Sequence, residues 1–134
     1  MNSKIESFFK GKQILITGGT GSLGQALTQR LLQMNVKRIK IYSRNEEKQI
    51  KMEEKFQNEI LRFFIGDVRD LQRMTLAFED VDIVFHAAAL KHVPAAEYNP
   101  FESIKTNIYG SQSVVLASIK QKVKKVLILS TDKA

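Results

Sequence analysis

The sequence predicts an α/β protein with a doubly wound parallel sheet of about five strands. Short apolar runs rich in β-branched residues alternate with longer amphipathic stretches along all 134 residues, and this alternation is typical of βαβ units. The connections are short, and no linker, internal repeat or low-complexity tract interrupts them. We therefore expect one Rossmann-type domain over residues 1–134 with the strand order 3-2-1-4-5.

Each strand and helix has a local sequence signal. Strands are expected at the apolar, β-branched runs, which are residues 14–16, 38–42, 61–65, 81–85 and 125–129. Helices are expected where apolar residues recur at helical spacing, which are residues 23–34, 46–57, 71–78 and 100–119. Asn45 and Asp70 are expected N-caps. Leu23, Ile50 and Ile119 are among the apolar side chains expected to face the sheet.

The first strand leads into a glycine-rich turn and then into a helix. This order and the spacing Gly19-x-Gly21-x-x-Gly24 fit the dinucleotide-binding fingerprint, whereas the glycines alone would also suit a flexible loop. The first glycines of the turn permit positive φ, Gly21 permits close approach of a pyrophosphate, and Gly24 permits close packing of the helix against the strand. The first helical turn has unpaired N–H groups that stabilise a phosphate. We expect the cofactor pyrophosphate to contact Gly18, Thr20, Gly21, Ser22, Leu23 and Gly24.

The end of the second strand indicates which nicotinamide cofactor fits. A carboxylate there would bind the ribose 2′-hydroxyl of NAD, whereas an arginine accommodates the 2′-phosphate of NADP. This chain has Ser43 and Arg44, with no carboxylate before Glu46. Arg44 can bind a phosphate and stack on adenine, and Ser43 can donate its hydroxyl proton. The sequence therefore favours NADP, the alternative being an exposed arginine that simply precedes a helix cap.

Two further strand ends reach the edge of the sheet where open parallel sheets bind ligands. After the third strand, we expect the Asp67 carboxylate to accept from the adenine amino group and the Val68 backbone to contact the ring. After the fourth strand, small side chains leave room for the nicotinamide ribose and the pyrophosphate, at Ala87, Ala88 and Ala89. His86 is interpreted as a packed strand-end histidine rather than a catalytic group. Lys91 suits an anionic group of the cofactor or the substrate.

Composition limits the function classes. The chain has 43% hydrophobic residues, 26% charged residues and no cysteine, so disulfides and thiolate metal sites are excluded. With two histidines, we expect no metal site. No apolar run approaches the roughly 20 residues of a membrane span, and we expect a cytoplasmic protein without membrane contact. The net charge of +7 is dispersed along the chain, so we expect no nucleic-acid binding.

Five segments carry a resemblance to a known family, namely TGGTGSLG, YSRNEEKQ, FFIGDVRD, HAAALKHVPAAEYNPFESIKTNIYGS and LSTDKA. Together they resemble the amino-terminal half of the extended short-chain dehydrogenase/reductases. Within that class they are similar to the inverting UDP-N-acetylglucosamine 4,6-dehydratases of the polysaccharide biosynthesis proteins. The glycine motif is widely shared, whereas AALKHVPAAEYNP combined with STDKA is much narrower. The resemblance covers nearly the whole chain.

The resemblance implies NADP-dependent 4,6-dehydration of a UDP-N-acetylglucosamine-type nucleotide sugar, with inversion at C5. In such enzymes hydride passes from C4 to the cofactor, water is eliminated across C5 and C6, and hydride returns to C6. The elimination needs an acid and a base, and the resemblance implies Asp132 as the acid and Lys133 as the base, beside Thr131. It also implies sugar contacts from Lys91 and Val93. Without the resemblance, Asp132 would be interpreted as a helix cap and Lys133 as a solvated side chain.

The chain is short compared with that family. It lacks the Tyr-x-x-x-Lys pair and the UDP-binding half, so we expect an incomplete copy that holds the cofactor through half a site and is inactive alone. Uncovered helical faces favour a homo-oligomer. Two alternatives remain open. A non-catalytic NADP-binding module would bind cofactor without turnover, and a nucleotide-sugar 4-epimerase would share the cofactor site without needing Asp132 and Lys133 as an elimination pair.

Overall fold

The computed structural model describes residues 3–87 and 100–129. Its strands are β1 (Gln13–Thr17), β2 (Arg38–Ser43), β3 (Leu61–Ile65), β4 (Ile83–His86) and β5 (Lys125–Ile128). Its helices are α1 (Ser3–Phe9), α2 (Ser22–Leu31), α3 (Glu46–Phe56), α4 (Leu71–Ala77) and α5 (Pro100–Lys120). The strands pair in parallel in the order β3-β2-β1-β4-β5, which confirms the predicted fold class and strand order.

Helices cover both faces of the sheet. On one face, alternate residues of β1 and β2 pack with Leu31 of α2 and Met52 of α3. On the other face, Leu15 of β1 packs with Met74 of α4 and Val114 of α5. The apolar residues of β1 are fully buried, as expected for the central strand of a doubly wound sheet.

The first helix, α1, was not expected from the sequence. Its seven residues make about two turns, which is too short for a helical repeat of apolar residues to be recognised. The ring of Phe9 stacks on Phe85 of β4 with their centroids 6.3 Å apart. The helix therefore extends the apolar cluster beside β4.

Each of three helices exposes one apolar side chain that was predicted to face the sheet, although Leu31 and Val114 of the same predicted stripes are buried. Leu23 is 40% exposed, Ile50 is 50% exposed and Ile119 is 70% exposed, so the prediction that these side chains face the sheet was wrong. In their place α2 buries Gly24 and α3 buries Gln49. Gly24 is buried because the backbone of α2 closely approaches the preceding loop, and Gln49 is buried because its amide binds oxygens at the strand ends. Hydrophobicity alone therefore does not identify the inward face of these helices.

Polar side chains fix several helix ends. Asn45 and Asp70 are N-caps as predicted, each accepting a backbone N–H at 3.0 Å. Lys40 of β2 is buried and donates to the carbonyl oxygens of Ala77 at 3.0 Å and Glu79 at 2.7 Å. Burial lowers the pKa of the Lys40 ammonium. These contacts hold the carboxyl end of α4 against β2.

The carboxyl ends of four strands meet at one edge of the sheet. Thr17 of β1 pairs with Tyr42 of β2 and with His86 of β4, while Ser43 of β2 pairs with Ile65 of β3. The segments that follow these strands therefore begin side by side. They contain the residues that the sequence predicts to bind a cofactor.

Candidate dinucleotide-binding site

The turn after β1 is built from backbone contacts. Gly18 has φ +65°, a left-handed conformation that favours glycine, and its N–H donates to the Tyr42 carbonyl at 2.8 Å. The N–H of Gly21 donates to the Gly18 carbonyl at 3.2 Å. The glycine loop, residues 18–24, is thus anchored to the end of β2 as well as to β1.

Close packing accounts for two of the glycines. A Cβ on Gly24 would lie 2.4 Å from the Cα and the carbonyl oxygen of Gly19, and a Cβ on Gly19 would lie 2.8 Å from a methyl carbon of Ile41. The sequence predicted that Gly24 would bring α2 against the strand. The structure shows that α2 rests on the backbone of the loop, and that the loop rests on β2.

Gly21 has open space where a side chain would be. The nearest atom to a Cβ there is the Gly18 carbonyl oxygen at 3.6 Å, and Gly21 is exposed. It is the N-cap of α2 with φ −77° and ψ 177° and provides no side-chain cap. The N–H groups of Ser22, Leu23 and Gly24 have no acceptor within the helix. A phosphate at this position can therefore approach the backbone and accept from these groups.

Side chains of α2 and α3 hold the middle of the loop. Gln25 Nε2 donates to the carbonyl oxygen of Thr20 at 2.9 Å. Lys55 Nζ in turn donates to Gln25 Oε1 at 3.0 Å. The backbone of Thr20, a predicted cofactor residue, is thereby fixed. Gln25 was not predicted, because a glutamine in the first turns of a helix has no distinctive pattern, and Lys55 was not predicted, because its contact joins two helices.

The two predicted 2′-phosphate ligands differ in exposure. Ser43 is 8% exposed, and its hydroxyl oxygen accepts from Gln49 Nε2 at 2.9 Å. The side chain of Arg44 is 54% exposed, with its Nη1 3.7 Å from Oδ2 of Asp67. The Arg44 guanidinium is therefore open to solvent, whereas the Ser43 hydroxyl is nearly buried at the same edge of the sheet.

Asp67 is bound by arginine. Arg69 donates to its carboxylate through the backbone N–H at 2.8 Å, Nε at 3.2 Å and Nη2 at 3.1 Å. The side-chain hydrogen bonds from Arg69 hold the pKa of Asp67 below its usual value, so this carboxyl is ionised at neutral pH. Arg69 was not predicted as a site residue, because a pair two residues apart gives no distinctive sequence pattern.

Tyr42 supports the turn that carries Asp67 and Val68. Its hydroxyl donates to the carbonyl oxygen of Asp67 at 2.8 Å, and burial raises the pKa of this phenol. Gly66 passes directly over Tyr42, since a Cβ on Gly66 would lie 2.4 Å from the phenol oxygen. A Cβ on Gly110 of α5 would lie 2.9 Å from a Val68 methyl carbon. Val68 is therefore held between the sheet edge and α5.

His86 is packed, in agreement with its interpretation from the sequence. It is 1% exposed, and its Nδ1 lies 2.7 Å from Oγ1 of Thr17. Burial lowers the pKa of His86 to about 4, so the ring is neutral at pH 7. The N–H of Ala87 donates to the Thr17 carbonyl at 3.2 Å. These contacts join the end of β1, directly before the glycine loop, to the end of β4 and to Ala87.

The remaining predicted site residues lie outside the described residues. They are Ala88, Ala89, Lys91, Val93, Thr131, Asp132 and Lys133. Their cofactor, substrate and catalytic roles stay predictions. Within residues 3–87 and 100–129, no group of three or more His, Asp or Glu side chains forms a metal site. In the same ranges no helix is both long and apolar enough to cross a membrane.

The strand order, the glycine loop and the open start of α2 define a Rossmann-type domain of the extended short-chain dehydrogenase/reductases. Comparison with known families gives a narrower assignment. The chain belongs to the polysaccharide biosynthesis protein family, whose model matches residues 14–134.

Individual relatives agree with this assignment. The chain is 58% identical to the UDP-N-acetylglucosamine 4,6-dehydratase (inverting) of Campylobacter jejuni, over 94% of this chain and 38% of that protein. It is 50% identical to the UDP-glucose 4-epimerase of Rickettsia prowazekii, again over 94% of this chain and 38% of that protein. It therefore spans about two fifths of the length of these relatives.

Solved structures match the fold closely. The structure of Pen from Bacillus thuringiensis has a TM-score of 0.83 and 47% identity, covering 90% of this chain and 37% of that one. WbmG of Bordetella bronchiseptica, solved in complex with NAD, has a TM-score of 0.75 and 28% identity, covering 92% of this chain and 38% of that one.

Proposed function

We propose that this chain forms the NADP-binding part of a nucleotide-sugar 4,6-dehydratase that acts on a UDP-N-acetylglucosamine-type substrate with inversion at C5. The observation that carries the proposal is the open backbone at Gly21, beside the uncapped first turn of α2. The 58% identity to the Campylobacter jejuni dehydratase supports the substrate class. We further propose a cytoplasmic homo-oligomer that acts in bacterial surface-glycan biosynthesis.

The described residues fit the adenosine half of NADP. The pyrophosphate would accept from the first-turn N–H groups of α2, and adenine would lie beside Asp67 and Val68. Arg44 and Ser43 would bind the 2′-phosphate. Arg44, Arg69 and Asp67 together carry a charge of +1 at neutral pH, which suits an anionic group. WbmG was solved with NAD, so NAD is the competing cofactor.

Bound NADP supplies a reversible hydride acceptor for the sugar. For the elimination, Asp132 would protonate the leaving C6 hydroxyl and Lys133 would remove the C5 proton, with Thr131 beside them. An ordinary lysine has a pKa of about 10.4, so Lys133 needs burial or a nearby positive charge to act as a base near neutral pH. Lys91 and Val93 would contact the sugar nucleotide.

Calorimetric titration of the chain with NADP and NAD tests the cofactor proposal. Charge-assisted hydrogen bonds from Arg44 and Ser43 to the 2′-phosphate, at about tenfold each, predict that NADP binds about a hundredfold more tightly than NAD. Arg44→Ala should lower this preference about tenfold. Arg30→Ala is the matched control, because Arg30 is an exposed arginine in the last turn of α2. Tighter binding of NAD than of NADP would contradict the proposal.

A 4-epimerase is the second candidate, because the Rickettsia prowazekii relative at 50% identity is a UDP-glucose 4-epimerase. The two reactions are distinguished by placing this chain in the Campylobacter jejuni dehydratase in exchange for the matching segment. Incubation with UDP-N-acetylglucosamine in deuterated water should give a product that has lost water and gained deuterium at C5. An epimer of unchanged mass would favour the second candidate.

The same chimaera tests the catalytic roles. Lys133→Ala should abolish deuterium incorporation at C5, whereas Asp132→Asn should slow the loss of water. If Lys133→Ala retained C5 exchange at the parent rate, its assignment as the base would be wrong.

A further inference from the structure

A nearly buried amide lies beneath the predicted 2′-phosphate position. Gln49 of α3 is 4% exposed, and a buried amide must be hydrogen-bonded to avoid a desolvation cost. Its Nε2 donates to the carbonyl oxygen of Phe64 at 2.9 Å and to Oγ of Ser43 at 2.9 Å. The amide therefore bridges the ends of β2 and β3.

The Phe64 contact fixes the orientation of the amide. A backbone carbonyl oxygen can only accept, so the nitrogen of the Gln49 amide must face it. That nitrogen can only donate, so the Ser43 hydroxyl oxygen must accept from it. The reversed amide would place two acceptor oxygens together at Phe64. The proton of the Ser43 hydroxyl must consequently point away from Gln49.

No acceptor for this proton occurs among residues 3–87 and 100–129, where the Ser43 hydroxyl contacts only the Gln49 amide. The carbonyl oxygen of Ser43 already accepts from the Gly66 N–H at 2.9 Å. Ser43 directly follows Tyr42, which anchors the glycine loop, and directly precedes the exposed Arg44. Its hydroxyl proton is thus available at the edge where the cofactor ribose would lie.

We infer that Gln49 is a positioning residue for cofactor selectivity, which turns the Ser43 hydroxyl proton toward the 2′-phosphate of NADP. This inference rests on the proposed binding of NADP, because the 2′-phosphate supplies the acceptor. A Gln49 that only linked β2 to β3 would support NAD and NADP equally. The ratio of the two affinities therefore separates a positioning role from a purely structural one.

Two small probes isolate the contact. Adenosine 2′,5′-bisphosphate and 5′-AMP differ only in the 2′-phosphate, and their dissociation constants are measured calorimetrically with the whole chain. Gln49→Met keeps the side-chain length and removes the donor. It should lower the preference for the bisphosphate about tenfold, while the dissociation constant of 5′-AMP changes less than about twofold. Gln33→Met is the control, because Gln33 is an exposed glutamine remote from this edge.

A double-mutant cycle completes the test. Ser43→Ala should lose the same preference, and adding Gln49→Met to Ser43→Ala should cause no further loss, since both act through one hydroxyl. If either single variant keeps the preference for the bisphosphate, or if Gln49→Met weakens both probes equally, the positioning role of Gln49 is refuted. These outcomes leave the proposed binding of NADP intact. If Gln49→Met fails to fold, retention of the preference by Ser43→Ala still refutes the positioning role. A wild-type chain without the preference contradicts NADP binding itself.

Discussion

A methyl group at Gly24 is predicted to force α2 away from the glycine loop. The Cβ would lie 2.4 Å from two backbone atoms of Gly19, whereas carbon atoms in contact lie roughly 3.5 Å apart. Because backbone rather than a flexible side chain blocks the position, overpacking should cost about 3 kcal/mol. The better helix propensity of alanine returns about 1 kcal/mol. We expect Gly24→Ala to lower the free energy of unfolding by about 2 kcal/mol, measured by urea denaturation.

Gly21→Ala is the matched variant, with the opposite expected behaviour. Its Cβ would meet nothing closer than 3.6 Å, so the loss of stability should stay below about 1 kcal/mol, as for other N-cap changes. If a pyrophosphate approaches the backbone there, the methyl group should weaken ADP binding about tenfold or more. Unchanged stability of Gly24→Ala would refute the packing argument. Unchanged ADP affinity of Gly21→Ala would refute the phosphate position.

Three further predictions concern the sheet edge. The folded-state pKa of His86 is lowered from 6.5 to about 4, so stability present above pH 6.5 is lost as the pH falls toward 4. Between pH 6.5 and pH 4, the free energy of unfolding of the wild type should fall by up to about 3 kcal/mol more than that of His86→Asn. Denaturant unfolding of both proteins at a series of pH values measures this difference. Tyr42→Phe removes the hydrogen bond to Asp67 and should lower stability by about 1 kcal/mol in the same assay, and no change would exclude that bond in solution. Arg69→Ala should raise the pKa of Asp67 toward its ordinary value in a carboxyl NMR titration, and an unshifted titration would exclude the Arg69 contact.

Local sequence patterns were sufficient for the architecture. The apolar runs gave the strands to within two residues, because β-branched segments between turn residues suit a strand buried on both sides. The cap residues Asn45 and Asp70 gave the starts of α3 and α4. The glycine spacing identified the loop after β1, because few other patterns combine a strand, a tight turn and a helix start.

Contacts distant in sequence could not be predicted in this way. Ile50 is apolar and was expected inward, but α3 instead buries Gln49 beside Met52, and the Gln49 amide binds oxygens at the ends of two strands. Asp67 was expected to accept from the adenine amino group, and the Arg69 side chain that also binds its carboxylate was not foreseen. Both arrangements depend on tertiary packing, which hydrophobic periodicity does not report.

The central claim is that a dinucleotide pyrophosphate binds to the backbone at the start of α2. The most direct measurement is an NMR titration of the ¹⁵N-labelled chain with NADP, following each backbone amide. We predict saturable shifts that are largest at Gly21, Ser22 and Leu23, with no change at Lys37 and Lys122, which precede strands at the opposite edge of the sheet. Unmoved amides at Gly21–Leu23 under millimolar NADP, or larger shifts at the opposite edge, would contradict the claim.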